Sequence, residues 1–453
     1  MGLLLLLLVA AAAYQRLPGS RDTGVFATDP AIPYFHYTPT GAPLGRILVV
    51  HGLDASRNVV NILSRGLADG GFEVFSIDLP GHGESRAPFH ALRARDAVEQ
   101  VLDHLGPDTA VVGHSLGGAL LLDIAADRRI PAMVLFSPAP TPVESIQSDR
   151  ILVLIGQFDP GAIRTFAPRI AGIATGKVEL RELRWIGHSG ALFRPWVIAG
   201  VVEWLGGQPT AEIRTSSRLL LIALMGLSGV AAGILFLRMF RATPLPEPVG
   251  PSVVVSILYY IIAALAAVSV QAFVDVASWI RLFVTDYLVG FFFLTGLLLF
   301  LRLRPRLQIT GRNVLIALAA AGYVILFGLS VAGEVAHFSL SGDRWLRWPA
   351  LVALSLPLFL ADEVLLRPIR SRWAAAGAAI VTRLLLGAIA VNGALILNRE
   401  AGFLLLLTHL VILFWIALWF SAGLVRSRTD PFSAALFAAI VQAWMFSALF
   451  ITT

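Results

Sequence analysis

The pattern of apolar and polar positions divides the chain into two regimes that meet near residue 217. Before that point apolar runs are short and bounded by glycine, proline and polar clusters. Arg46 to Val50, Glu73 to Ile77, Val111-Val112, Met133 to Phe136, Ile151 to Ile155 and Val178 to Ile186 read as buried strands, each ending in a polar loop. Beyond residue 217 the runs lengthen. Eight follow, roughly Leu219 to Leu237, Val253 to Val274, Leu282 to Leu301, Val314 to Val331, Pro349 to Leu366, Trp373 to Leu397, Gly402 to Val425 and Phe432 to Ile451. A bilayer core needs about 20 apolar residues as helix, and most of these suffice. Pro349 to Leu366 carries Asp362 and Glu363 and is short enough to be re-entrant. The pattern therefore predicts an α/β unit followed by an all-α, multi-span transmembrane domain over residues 217–453.

The first residues form a third, smaller element. Leu3 to Ala13 is about eleven apolar residues ending at Tyr14-Gln15-Arg16, too few to span comfortably. Residues 1–16 read as a cleaved signal peptide, with its run of alanines but without the usual basic start, as a short uncleaved anchor, or as a buried core helix.

Composition agrees with a membrane protein. Of 453 residues, 57% are hydrophobic and only 14% charged, and the apolar excess lies in the second regime. Arginine carries nearly all the positive charge, with Lys177 the lone lysine, which suggests a GC-rich bacterial genome. There is no cysteine, so neither a disulfide framework nor a cysteine metal site is possible.

The most specific chemistry lies at Val111-Val112-Gly113-His114-Ser115-Leu116-Gly117-Gly118, one serine between glycines after an apolar strand and before a helix. A strand that turns sharply into a helix strains its central residue, and only small neighbours let the chain segments pass. Ser115 would project alone at the sheet edge. Other strands end in His51-Gly52-Leu53-Asp54, in Asp78-Leu79-Pro80-Gly81-His82-Gly83-Glu84-Ser85, in Gln157-Phe158-Asp159 and in Gly187-His188-Ser189-Gly190. The chain order of the candidates is Ser115, Asp159, His188.

These residues resemble the α/β-hydrolase superfamily over roughly residues 30–207, under half of the chain. The resemblance implies a doubly wound, mostly parallel sheet, with Ser115 as nucleophile, His188 as general base and then acid, and Asp159 orienting His188. It also implies an oxyanion hole from the backbone N–H groups of Leu53 and Leu116. His51, His82 and His114 fall to loop-shaping roles, Asp54 and Asp149 yield to Asp159, and Ser137 cannot serve as the acid. Only Pro138 to Arg150 joins the strand ending at Phe136 to the acid-bearing strand, so no folded cap fits. Whatever covers this minimal, capless site must come from the membrane surface or from the rest of the polypeptide.

Charge suggests an orientation. With an even number of spans, the hydrolase side carries Arg214, Arg218, Arg281, Arg344, Arg347 and Arg399. The opposite side carries Arg238, Arg241, Arg302, Arg304, Arg306, Arg312, Arg367, Arg370, Arg372, Arg426 and Arg428. The positive-inside rule then places the hydrolase outside the cytoplasm. The formal net charge of +6 is explained by topology and gives no reason to invoke nucleic acid.

Polar groups within the spans are costly. Arg383 with Asp362 and Glu363 reads as an interhelical ion pair. Asp286, Glu334, His337 and His409 fall near the hydrolase side, where they line a polar entry, dock the soluble domain or reach water at the interface. The expected activity is a membrane-tethered serine hydrolase, an esterase or lipase cleaving lipid or other amphipathic acyl esters, with no cofactor and no metal. An amidase or peptidase using the same triad and a transporter-like protein with an accessory hydrolase domain are the alternatives.

Overall fold

The computed structural model describes residues 9–14, 16–17, 20–208, 211–242, 251–304, 309–397, 402 and 404–453. Within these the chain separates into two compact units. The first comprises the residues up to Gly229 together with Ser330–Ser339 and Ile451–Thr453, and the second holds Val230–Leu329 and Leu340–Phe450. The expectation for the apolar start falls partly on Leu3 to Leu8, outside the described residues; residues 9–14 are helical.

The first unit is built on one sheet of eight strands: β1 (Ser20–Phe26), β2 (Ile32–Thr38), β3 (Arg46–Val50), β4 (Glu73–Ile77), β5 (Ala110–His114), β6 (Met133–Phe136), β7 (Arg150–Gly156) and β8 (Lys177–Leu183). Their order is β1-β2-β4-β3-β5-β6-β7-β8. β1 and β2 pair antiparallel, as do β2 and β4, and all later pairings are parallel. A parallel sheet needs helices on both faces, which is why its inner strands β3 to β7 are mostly apolar, whereas the edge strand β8 carries Lys177, Glu179, Arg181 and Glu182. Leu48, Val50, Phe75, Ile77, Val111 and Val153 pack on one face with Val98, Val101 and Leu102 of α2 (Ala91–Leu105), following α1 (Asn61–Asp69). The intervening Ile47, Val49, Val74, Val112, Val134 and Leu152 pack on the other face with Ile62 and Leu63 of α1. The helix after β5 is α3 (Leu116–Asp127), followed later by α4 (Gly161–Phe166), α5 (Ile170–Ile173) and α6 (Pro195–Leu205). Ile198 and Val202 of α6 complete the second face.

Two departures from the sequence pattern have local causes. β8 stops at Leu183 rather than continuing to Ile186, because Trp185 adopts a φ of 58°, outside the extended region. The antiparallel pair β1–β2 begins ahead of residue 30. β1 is largely exposed and polar, with Phe26 its buried anchor, so it carries no apolar run.

Among the described residues eight α-helices follow: α7 (Ala211–Arg238), α8 (Val253–Gln271), α9 (Thr285–Leu303), α10 (Gly311–Val331), α11 (Arg344–Leu365), α12 (Arg372–Leu397), α13 (Leu404–Arg426) and α14 (Pro431–Leu449). Seven are long and apolar enough to cross a membrane; the described apolar stretch of α13, Leu410–Arg426, is shorter. α11 is a continuous helix of 22 residues despite Pro349 and Pro357, so the run that reads as re-entrant forms a full-length helix. Exposed Leu258, Ile262 and Leu265 on α8, Leu315 and Leu326 on α10, and Leu413 and Leu424 on α13 present apolar surface of the kind lipid covers.

Polar contacts join helices within the second unit. Arg383 of α12 pairs with Asp362 of α11, which also accepts a 2.5 Å hydrogen bond from Tyr260 Oη of α8. Glu363 pairs with Arg426 at 3.0 Å and Arg367 at 3.4 Å. Trp415 Nε1 donates to Gln442 Oε1 at 2.7 Å, and Gln442 Nε2 donates to Ser355 Oγ at 3.1 Å. Gly296 lets α9 approach α11 closely, since a Cβ there would stand 2.3 Å from Leu358 N. Asp286 lines a cavity of about 190 Å³ with Gln271, Asp275 and Tyr287.

Candidate active site

The elbow forms as its spelling requires. Ser115 lies between β5 and α3 with φ 50° and ψ −113°, a conformation rare for a residue with a side chain. A Cβ on Gly117 would stand 2.3 Å from Val50 O, and one on Gly113 2.7 Å from Gly118 N. Ser115 is tied into the sheet by its N–H, which donates to Phe136 O at 2.9 Å.

Asp159 and His188 meet across the ends of β7 and β8. His188 Nδ1 lies 2.7 Å from Asp159 Oδ1, so the carboxylate fixes a proton on Nδ1. The other carboxylate oxygen accepts from Ser137 Oγ and from Gly156 N–H, both at 2.6 Å. Burial works against the charge of Asp159, but the bonds from His188, Ser137 and Gly156 outweigh it and hold the carboxyl below its ordinary value. His188 Nε2 is buried without a hydrogen-bond partner.

No hydrogen bond joins Ser115 to His188 among the described residues. The link is His114, whose ring stands 5.0 Å from that of His188 and whose Nε2 lies 3.3 Å from His188 O. Burial, aided by the nearby His188, pushes the His114 pKa down to about 3, so His114 is neutral at physiological pH and is no base.

The two residues expected to supply oxyanion donors both lie on segments close to Ser115. Leu116 is the first residue of α3, and first-turn N–H groups have no partner inside their helix. Leu53 follows Gly52, where an added Cβ would stand 3.0 Å from the Ser115 Cβ. Behind this loop, His51 Nε2 accepts from Leu79 N–H at 3.1 Å. The buried Asp78 accepts from Arg57 N–H at 2.8 Å and from Glu84 N–H at 3.0 Å. These contacts give His51 and Asp78 loop-shaping roles. Asp149 pairs with Arg129 on the surface.

The sequence reading missed what holds this framework. Ser137, set aside as an acid, anchors the acid instead, from a φ of 45° at the end of β6. No helix forms over Pro138 to Arg150, as expected of a capless site. Two distant segments pack on the sheet unit. Glu334 accepts from Tyr14 Oη at 2.6 Å, Arg21 at 3.1 Å and Asn61 Nδ2 at 2.9 Å. Residues 451 and 452 bond to Asp54 and Gly81. Among the described residues no cluster of three or more histidine, aspartate or glutamate side chains is placed to hold a metal.

Residues 45–196 match the family model for the alpha/beta hydrolase fold. Over 115 residues the chain is 34% identical to monoglyceride lipase of Homo sapiens, covering 23% of this chain and 38% of that protein. Lipase LipV of Mycobacterium tuberculosis is 34% identical over 108 residues, or 23% of this chain and 40% of the lipase. The magnesium-chelatase 30 kDa subunit of Rhodobacter capsulatus is 34% identical over 128 residues, or 27% and 41%. The chain thus spans about two fifths of the length of the curated relatives it matches. Among solved structures, carboxylesterase CesB of Bacillus subtilis aligns over its whole length and 46% of this chain, with 16% identity and a TM-score of 0.36. From its sheet order to the matched family model, the segment 45–196 is an α/β-hydrolase fold, carried in this chain ahead of a series of apolar helices.

Proposed function

We propose that the protein is a membrane-tethered serine hydrolase that cleaves carboxylic esters of lipid or other amphipathic acyl compounds through Ser115, His188 and Asp159. The observation that carries this reading is the strained elbow at Ser115 beside a His188 whose Nδ1 is fixed by a buried Asp159 and whose Nε2 is unpartnered. In acylation the Ser115 Oγ attacks the ester carbonyl while His188 Nε2 takes its proton. The C–O bond then breaks, and His188 returns the proton to the departing alcohol. Water, deprotonated by the same nitrogen, releases the acid and restores the serine. Asp159 stabilises the imidazolium without itself being protonated, in keeping with its lowered pKa. The N–H groups of Leu53 and Leu116 cancel charge that appears only in the tetrahedral intermediate, which is why losing one such donor costs about 10²–10³ in rate.

The apolar helices and the short, helix-free linker Pro138–Arg150 support a substrate presented at a bilayer, because an uncapped site on a tethered domain meets amphipathic molecules there first. The relatives named as lipases favour an acyl ester over an amide. A cell-membrane location, several passes and an extracytoplasmic hydrolase unit belong to the same reading.

A fluorophosphonate probe tests the mechanism without knowledge of the substrate. Wild-type protein in membranes should label covalently, and Ser115→Ala should lose both labelling and ester hydrolysis while still inserting and folding. Because members of a triad act as a unit, adding His188→Ala to Ser115→Ala should cost little more. Full esterase activity in Ser115→Ala removes the triad.

A further inference from the structure

Two loops at the sheet edge that carries Ser115 are tied to one short segment distant in the chain. Ile451 N–H donates to Asp54 Oδ1 at 3.2 Å. Thr452 N–H donates to Gly81 O at 3.1 Å, and Thr452 O accepts from Phe89 N–H at 2.9 Å. The loop after β3 and the loop after β4 are thereby joined through residues 451–452, within one compact unit.

The geometry is specific at both contacts. Gly81 has a φ of +78°, and a Cβ there would stand 2.8 Å from Thr452 O, so the segment lies directly against the turn. Ile451 is fully buried. Asp54 has a φ of 51°, a left-handed conformation that aspartate tolerates better than most residues but that still requires surroundings to hold it. It comes immediately after Leu53, whose N–H is the proposed oxyanion donor. The residue that sets the end of the oxyanion loop is thus held by a backbone donor about 400 positions away.

We propose that Asp54 is a positioning residue for the oxyanion-hole loop, kept in place by residues 451–452; the proposal rests on the serine-hydrolase reading above. Donors in an oxyanion hole act on charge that develops in the transition state, so misplacing one lowers kcat and leaves KM nearly unchanged.

The test compares Asp54→Ala, Asp54→Asn and Thr452→Pro in the full chain, with kcat and KM for a soluble ester. Active sites are counted by fluorophosphonate titration, so misfolded protein does not enter the rate. Asp54→Ala should lower kcat by about 10- to 100-fold, up to the range for loss of one oxyanion donor, with KM within about twofold. Asp54→Asn keeps the Oδ1 acceptor and tolerates the left-handed backbone, and should recover to within roughly threefold of wild type. Thr452→Pro removes the N–H that Gly81 O accepts and should also lower kcat. Combining it with Asp54→Ala should cost no more than the worse single change, since both release the same segment. Wild-type kcat in Asp54→Ala, an Asp54→Asn as impaired as alanine, a loss confined to KM, or fully multiplicative losses would each overturn the proposal. Ser115→Ala is measured alongside: if it stays active the serine-hydrolase reading fails, whereas an inactive Ser115→Ala with an unimpaired Asp54→Ala removes the positioning role alone.

Discussion

At the scale of single residues, the site depends on groups whose ordinary charge the fold suppresses. His114 is the clearest case. When unfolded it protonates as pH falls through about 6.5, whereas in the fold burial, with His188 close by, keeps it neutral down to about 3. Between those values the unfolded chain binds the extra proton, so stability falls as pH falls; above the window the term vanishes. His51, lowered chiefly by burial, adds with the same sign. The hydrolase unit should therefore melt at a lower temperature at pH 5 than at pH 7.5, and His114→Gln should flatten that difference. An unchanged pH dependence in His114→Gln would assign the slope to other groups. The same scale shows what a sequence can carry. Ser115, Asp159 and His188 could be singled out because each is a polar residue that follows a run reading as a strand, although β8 itself ends at Leu183. Ser137 has the same placement, but its service to Asp159 depends on a hydrogen bond between neighbouring strands, and strand order is not written at either position.

At the scale of elements, the apolar runs were enough to mark β3, β4 and β6 at their observed limits, since a strand covered on both faces is largely apolar. β1 went unread because an edge strand that buries only Phe26 has no such run. Among the helices, Asp362 and Arg383 stood out as costly within apolar runs, and the structure joins them across α11 and α12. Breaking such a buried pair is worse than never having it, because the remaining charge keeps its desolvation cost without a partner, typically about 3–5 kcal/mol. Arg383→Met should accordingly lower the melting temperature in detergent sharply. The double variant Arg383→Met with Asp362→Leu should regain much of the loss, although Tyr260 Oη then lacks its acceptor. A double variant no more stable than Arg383→Met would mean that the ion pair contributes through more than mutual neutralisation.

At the scale of the whole molecule, chain parity constrains how the helices cross a bilayer. The unit containing the sheet also contains residues 330–339 and 451–453, held by Glu334 to Arg21 and by Ile451 to Asp54, contacts separated by 313 and 397 positions. Contacts at such separations leave no local trace in a sequence. They place all three stretches on one side of any membrane. From residue 208 to residue 330 the chain passes through α7, α8, α9 and α10, and from residue 339 to residue 451 through α11, α12, α13 and α14. Both sets are even, as a shared side demands, but the second is even only if α13 crosses despite its shorter described apolar stretch. The proposed direction follows from the arginine asymmetry, which by the positive-inside rule assigns the richer loops to the cytoplasm and the hydrolase unit to the outside. Because the chain has no cysteine, single introduced cysteines can read this out with a membrane-impermeant maleimide. Asp108→Cys, exposed on the sheet unit, should label in intact spheroplasts. Ser371→Cys, between α11 and α12, and Ser427→Cys, between α13 and α14, should label only after permeabilisation. Opposite behaviour of Ser371→Cys and Ser427→Cys would show that α13 does not cross. Protection of Asp108→Cys with exposure of both serine variants would invert the protein and turn the active site toward cytoplasmic esters, leaving the argument for Ser115 untouched because it makes no use of the membrane.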